Sequence, residues 1–192
     1  MIEKDLIKRA KKGEISAFAE LVEKYESDIF TYCLYILRNR EDAKDLTQET
    51  FLKAFLKIQS LKKDEDFKFW LLRIARNSCY KKLRRLKIEK NFIDLEEEKK
   101  FSIDEEVIKD ERREKLIDAI NKLNKKDKEI LILRDIEGYS YDEISKILKL
   151  SLNLVKVRIH RARKNLKKIL GEKYEWLQIN KRWTFEFKRK EY

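Results

Sequence analysis

The fold is decided by residues 137–171, EGYSYDEISKILKLSLNLVKVRIHRARKNLKKILG. Gly138 can adopt the left-handed backbone that ends a helix, and Ser140 with Glu143 forms a capping-box pattern that begins a new one. That new helix is short, because Ser151 soon offers a second N-cap. The sequence therefore predicts a short helix to about residue 149, a tight turn, and a long helix closed by Gly171.

The long helix has two chemically different sides. Apolar residues recur along it at spacings that place them on one face, namely Val155, Ile159, Ala162, Leu166 and Ile169. The opposite side is basic, and no acidic residue occurs from Lys156 to Lys168. A short helix, a turn and a second helix with a basic outer face are typical of a helix-turn-helix, whose second helix enters the major groove of DNA.

The basic face supplies candidate contacts to duplex DNA. Arg158 and Arg161 suit bidentate contacts to guanine, lysines suit phosphates, and exposed Leu or Val side chains suit thymine methyl groups. The candidate residues are Ser151, Asn153, Leu154, Lys156, Val157, Arg158, His160, Arg161 and Lys164. The competing interpretation is a solvated basic face on a purely structural helix.

Outside this motif the sequence is also typical of an all-α protein. It contains no proline and three glycines in 192 residues, so helices with short connections are the economical interpretation. Apolar residues recur at helical spacing in the segments 2–11, 16–37, 41–59 and 67–86, and again in 106–123, 125–136, 141–149 and 152–170. We predict a helical domain at 1–87 and a helix-turn-helix domain at 112–171. Residues 88–111, with ten acidic and four basic side chains, are predicted to be a flexible, partly disordered linker, and 172–192 a C-terminal extension of unassigned role.

Charge and composition limit the kinds of binding partner and the classes of protein that fit this chain. The formal net charge of +12 favours nucleic acid, with an anionic membrane surface second. The stretch from Ile29 to Leu37 is too short to span a bilayer, and no signal peptide opens the chain, so we expect a cytoplasmic protein without membrane insertion. Cys33 and Cys79 match no metal spacing and are predicted to be core residues. One histidine and no Gly-rich phosphate loop argue against an enzyme, a metal, a cofactor or a small-molecule substrate.

The predicted helix at 67–86 carries a second candidate nucleic-acid surface. A helical wheel places Leu71 and Cys79 on its buried side and gathers aromatic and basic residues on the other. Rings beside cations suit unpaired bases, which stack on the rings while the cations hold the backbone. The candidates are Phe69, Trp70, Arg73, Arg76, Asn77, Tyr80, Lys81 and Arg84. Alternatively, another element covers the aromatic side chains.

The predicted helix at 41–59 carries a third surface, which is acidic. Asp42, Asp45, Glu49, Leu52 and Leu56 lie opposite its apolar side. Carboxylates around exposed leucines suit a protein partner with a basic groove or coiled coil, and a solvated face is the alternative.

These stretches carry a family resemblance. Residues 42–53, DAKDLTQETFLK, resemble the core-binding motif of region 2 in the extracytoplasmic-function (ECF) group of the sigma-70 family. Residues 69–77, FWLLRIARN, resemble the promoter-melting segment that follows, and LILR at 131–134, EGYSYDEI at 137–144 and VKVRIHRAR at 155–163 resemble region 4. The chain departs from the family in lacking a glycine that is frequent near Lys149, and in having Leu152-Asn153-Leu154 where Glu-Gly-Thr is frequent.

The resemblance implies a sigma factor that binds core RNA polymerase and directs it to promoters. Its polymerase-binding residues would be Asp42, Asp45, Gln48, Glu49 and Leu52. The helix at 67–86, with the preceding loop from Lys62 to Asp66, would read the single-stranded minus-ten element, and the helix from Ser151 the duplex minus-thirty-five element. The acidic linker would extend towards the polymerase active centre. An anti-sigma factor is a further candidate partner, and a stand-alone helix-turn-helix regulator is the alternative function.

Overall fold

The computed structural model describes residues 2–62, 67–92, 116 and 118–171. The chain divides into two compact units, Met1–Ser102 and Ile103–Tyr192. Every regular element within the described ranges is helical, which confirms the all-α prediction. Most of the predicted linker, most of the loop before residue 67 and the whole C-terminal extension lie outside the described residues.

Within its described residues, the first unit contains four α-helices: α1 (Ile2–Lys11), α2 (Ile15–Leu37), α3 (Arg40–Lys57) and α4 (Phe67–Phe92), with a 3₁₀ turn at Ile58–Ser60 after α3. The first three follow the predicted segments closely. Helix α4 continues past the predicted end at residue 86, into the stretch assigned to the linker. The apolar pattern weakens there, but residues 87–92 contain neither glycine nor proline, so nothing in the local sequence stops the helix.

The core of the first unit forms around α2, which packs against α1, α3 and α4. Leu21, Ile29 and Tyr32 of α2 and Leu71 of α4 are completely buried. Burying each such side chain stabilises the fold by about 1.5–3 kcal/mol. Cys33 and Cys79 are buried as the sequence predicts, and the fold brings their Sγ atoms within 3.6 Å of each other.

The second unit begins, within the described residues, with a helical stretch at 118–121. It continues with α5 (Lys125–Leu131), which passes into a π-helical segment (Ile132–Ile136), and then α6 (Tyr141–Leu148) and α7 (Leu152–Leu170). The four consecutive residues from Ile130 to Leu133 are all fully buried, and α5 and α6 both pack against α7. The helix-turn-helix is therefore confirmed.

The helix ends follow the predicted caps. Gly138 has a φ of 76°, and Ser140 and Glu143 form both hydrogen bonds of the capping box. Ser151 Oγ accepts from the Leu154 amide at 3.4 Å. The structure adds that Lys149, which ends α6, has a φ of 53° and so adopts the left-handed conformation that glycine tolerates best.

None of the helices described has both the length and the hydropathy needed to cross a membrane.

Candidate nucleic-acid and partner-binding surfaces

Helix α7 presents the predicted basic face to solvent. Val155, Ile159 and Ala162 are buried against α5 and α6, whereas Ile169 near the helix end is partly exposed, contrary to the prediction. The exposed candidates are Ser151, Asn153, Leu154, Lys156, Val157, His160, Arg161 and Lys164, and Arg158 is half-buried. Val157 is 63% exposed, so its side chain is accessible to a binding partner.

The arginines of α7 differ in how they are held. Arg161 Nη2 lies 3.4 Å from Oδ1 of the fully buried Asp127, yet 56% of the Arg161 side chain is exposed. Arg163 turns towards the second unit's core, where Asp135 accepts hydrogen bonds from both its Nε, at 3.2 Å, and its Nη2. Burial opposes the charged form of Arg163, but the hydrogen bonds and charge of Asp135, together with Tyr141, raise the Arg163 pKa above its ordinary value.

Sequence reasoning did not single out Asp127. The signal was present, because Asn124 is the N-cap of α5 and its side chain accepts from the amides of Lys126 and Asp127. An acidic residue in the first turn of a helix is a common capping partner. What the sequence did not indicate is that this carboxylate also reaches Arg161 and Asn165 on α7.

The aromatic residues at the start of α4 are buried, so the exposure predicted for Phe69 and Trp70 is wrong. Phe69 is 5% exposed and Trp70 is 9% exposed. The Phe67 ring packs 5.7 Å from the Tyr25 ring of α2 and 5.8 Å from the Trp70 ring, centroid to centroid. Because the first turn of α4 lies under α2, its aromatics are core residues, which is the alternative that the sequence left open.

The rest of α4 keeps a polar, basic outer side. Asn77, Lys81 and Arg84 are exposed, while Arg73, Arg76 and Tyr80 are half-buried. The Arg76 guanidinium lies 5.2 Å from the centroid of the Tyr80 ring, a cation–π distance. One aromatic ring therefore remains on the face that carries the cations.

Helix α3 exposes the acidic surface, but its carboxylates are not equivalent. Asp45, Gln48 and Glu49 are exposed, and Leu52 is 59% exposed. Asp42 is half-buried in an ion pair with Lys82 of α4. Glu49 pairs with Lys53, whose Nζ also donates to Ser78 Oγ of α4 at 2.9 Å. Of the three carboxylates Asp42, Asp45 and Glu49, Asp45 is the one without an ion-pair partner among the residues that the structure describes.

Other large apolar side chains of α2 and α3 are also exposed. Leu56, which the wheel predicts, is 71% exposed. Phe55 is partly exposed, and its ring packs edge-to-face with the Phe18 ring of α2, with 5.1 Å between the ring centroids. Ile15, three residues before Phe18, is 73% exposed. Sequence reasoning missed Ile15 and Phe55; Phe55 could have been found from its position three residues after Leu52. We refer to Asp45, Gln48, Glu49, Leu52 and Leu56 as the α3 face.

Among the described residues, no group of three or more histidine, cysteine or carboxylate side chains could hold a metal ion.

Comparison with known proteins places both units in one family. The sequence-family model of sigma-70 region 2 matches residues 21–88, and the family model of sigma-70 region 4 matches residues 113–166. The chain is 32% identical to the ECF RNA polymerase sigma factor SigW of Bacillus subtilis (strain 168), over 90% of this chain and 98% of the relative.

Two solved structures share the fold. CnrH, in complex with the cytosolic domain of CnrY, superposes with a TM-score of 0.66 at 23% identity, over 88% of this chain and 97% of that one. The sigma factor RpoE of Bartonella quintana, in complex with the anti-sigma factor NepR, superposes with a TM-score of 0.63 at 24% identity, over 80% and 96%.

Proposed function

Because this chain belongs to the ECF group of the sigma-70 family of RNA polymerase sigma factors, we propose that it binds core RNA polymerase and selects promoters through separate surfaces on its two units. The observation that carries the proposal is the contrast between the α3 face and the outer side of α4, two helices that pack together; the exposed cations Arg40, Lys44 and Lys57 of α3 lie off its acidic face. One exposes carboxylates and leucines, the other asparagine, lysine and arginine. A protein that reads only duplex DNA needs neither.

The α3 face is the proposed polymerase-binding surface. Exposed carboxylates beside exposed leucines match a basic, partly apolar helical partner, which both steers association and buries the leucines. Asp45, Gln48 and Leu52 are the central contacts, since Asp42 and Glu49 already take part in pairs with Lys82 and Lys53. Asp42 and Glu49 contact the polymerase when its basic side chains displace Lys82 and Lys53 from these ion pairs.

The outer side of α4 is the proposed site for the single-stranded minus-ten element. Its members are Arg73, Arg76, Asn77, Tyr80, Lys81 and Arg84. Tyr80 supplies the ring on which one base stacks, and the cations supply backbone contacts. Phe69 and Trp70 do not belong to this set, because the core covers them.

Helix α7 is the proposed reader of the minus-thirty-five element. Its exposed N-terminal half carries Asn153, Leu154, Lys156 and Val157, which enter the major groove first, followed by Arg158, His160, Arg161 and Lys164. Ser151 caps the helix and holds its N-terminus, whose dipole favours a phosphate.

In this role the chain performs no covalent chemistry and requires no cofactor, metal or small-molecule substrate. It acts in the cytoplasm, where core polymerase and promoters are found. An anti-sigma factor is a further candidate partner, since a protein that covers the leucines of the α3 face competes with the polymerase.

The test is reconstitution with core RNA polymerase. We expect transcripts with a common upstream promoter pattern when the full chain is added to core enzyme and genomic DNA, with 5′ ends determined by sequencing. A chain that binds duplex DNA specifically without polymerase, and adds no transcripts to core enzyme, would instead be a stand-alone regulator.

The polymerase-binding surface is tested by charge reversal. Asp45→Lys with Glu49→Lys places cations opposite a basic partner, and such like-charge contacts cost several kcal/mol of binding free energy. We therefore expect co-purification with core polymerase and promoter-specific transcripts to disappear. Asp142→Lys, an exposed carboxylate on α6, is the matched control and should leave co-purification intact. Transcripts that persist with the double variant would exclude the α3 face.

A further inference from the structure

The candidate is Asp127, a carboxylate at the start of α5 that is completely buried. Its Oδ2 accepts hydrogen bonds from the side-chain amides of Asn124 and Asn165, each at 2.7 Å. Its Oδ1 lies 3.4 Å from Nη2 of Arg161. The two α7 residues, 161 and 165, are one helical turn apart, so this single carboxylate holds α7 at two successive turns.

A buried carboxylate has to be justified by its partners. Removing an ionised carboxylate from water is costly unless hydrogen bonds and an opposite charge compensate. The two asparagine amides, the helix N-terminus and the Arg161 guanidinium together provide that compensation at Asp127. An apolar residue would fill the same space but would make none of these contacts to α7, so the carboxylate is what links the start of α5 to Arg161 and Asn165.

We propose that Asp127 is a positioning residue for Arg161 in reading the minus-thirty-five element, an inference that rests on the proposed function. A guanidinium has five N–H donors in a planar fork, and the contact to Asp127 uses one of them. The side chain stays more than half exposed, so its other donors remain available to a base edge. Asp127 thereby restrains one edge of the fork before DNA arrives, which lowers the ordering cost of binding.

Arg163 provides the internal comparison. It too is tied to a carboxylate, Asp135, through two hydrogen bonds. However, its side chain is only 24% exposed, and it points towards the π-helical segment rather than outward. Asp135 thus anchors α7 without presenting an arginine to DNA, which makes Asp135→Asn the matched control for Asp127→Asn.

The first measurement needs no DNA. Hydrogen exchange and rotation of the Arg161 guanidinium are followed by ¹⁵N NMR in the full chain. We expect slower exchange at Arg161 than at the exposed Arg84 in the unmodified protein, faster exchange at Arg161 in Asp127→Asn, and no change at Arg161 in Asp135→Asn. Equal exchange at Arg161 and Arg84 in the unmodified protein would overturn the proposal even if Asp127→Asn failed to fold.

The second measurement separates positioning from simple stability. Affinity is measured for the holoenzyme on a duplex that carries the minus-thirty-five region mapped from its own transcripts, and on a scrambled duplex. We expect Asp127→Asn to weaken the promoter duplex about 10-fold, in the range of a lost base contact, and to leave the scrambled duplex unchanged. In an Arg161→Ala background, Asp127→Asn should have no further effect on either duplex.

The outcomes distinguish the two proposals. Asp127 would be only a structural residue if Asp127→Asn lowered promoter affinity equally in the unmodified and the Arg161→Ala protein. The same conclusion would follow if Asp135→Asn lowered promoter affinity as much as Asp127→Asn does. A holoenzyme that selects its promoter equally well with and without Asp127→Asn would overturn the positioning role alone. An unmodified chain that directs no promoter-specific transcription would overturn the proposed function, while the NMR measurement would still report whether Asp127 restrains Arg161.

Discussion

Helices α4 and α7 both carry a basic face that the sequence assigns to nucleic acid, yet they are built differently. The inner face of α7 is aliphatic and its outer face polar along most of its length, so the helical wheel separates them correctly. The first turns of α4 place large apolar residues on more than one side of the helix, and the fold buries them, with Phe67, Leu71 and Leu72 at or near zero exposure. Clustered charged side chains mark the exposed faces of α4 and α7 better than aromatic side chains do, although a paired charge such as Asp127 can be buried.

The largest expected effect tests the aromatic end of α4. Replacing Trp70 with alanine removes a large, almost fully buried side chain that packs on Phe67, and should lower the free energy of unfolding by about 3–5 kcal/mol. Urea unfolding of the full chain, followed by circular dichroism, measures it.

The contrasting result for Trp70 is specific. An unchanged unfolding curve, combined with weaker binding of a single-stranded minus-ten oligonucleotide to the holoenzyme, would restore Trp70 as a base-stacking residue. The comparison between α4 and α7 would then fail.

A smaller effect is expected at the outer face of α7. Arg161→Ala and Arg158→Ala should each weaken binding of the holoenzyme to its own promoter by about 1–3 kcal/mol and relax base preference. Lys164→Ala, on the same face, should weaken promoter and scrambled duplexes alike, because a phosphate contact carries no sequence information. Fluorescence anisotropy at two salt concentrations measures all three.

Equal losses for all three variants on scrambled DNA would mean that α7 reads no bases. In that case α7 and α4 would both be backbone-binding helices, and the distinction between them would rest on exposure alone.

The smallest effect concerns the turn that sets α7 against α6. Lys149 is exposed and left-handed, a conformation that costs a residue with a Cβ about 1–2 kcal/mol. Lys149→Gly relieves this strain but adds conformational freedom to the unfolded chain. The free energy of unfolding should therefore rise by about 0.5–1 kcal/mol. Amide hydrogen exchange along α6 and α7 measures it.

Lys149→Ala is the control, since it removes the same charge and keeps the strain. If both variants slow the amide exchange equally, the added stability comes from removal of the lysine charge and not from relief of the backbone strain.

Local signals were enough to predict the helix-turn-helix. Gly138, the Ser140–Glu143 pair and Ser151 act through contacts with residues at most a few positions away, so their effect can be derived without tertiary information. The same holds for the spacing of Val155, Ile159 and Ala162, which a single helix already places on one side.

The candidate sites could be predicted only in part, because availability depends on other elements. Periodicity places Asp42 and Asp45 on the same exposed side of α3, but Lys82 of α4 pairs with Asp42. Periodicity likewise gives Arg161 a free outer position, whereas Asp127 of α5 holds one edge of its guanidinium. Both partners are distant in sequence, and no local pattern indicates them.

The sequence by itself determined the helices, their caps, the basic face of α7 and the acidic side of α3, because each depends on residues within about one or two helical turns. Only the tertiary structure decided that Phe69 and Trp70 are core residues and that Asp127 lies against Arg161. The physical reason is that burial and ion pairing depend on which elements pack together, and side chains far apart in the chain meet only once the fold has formed.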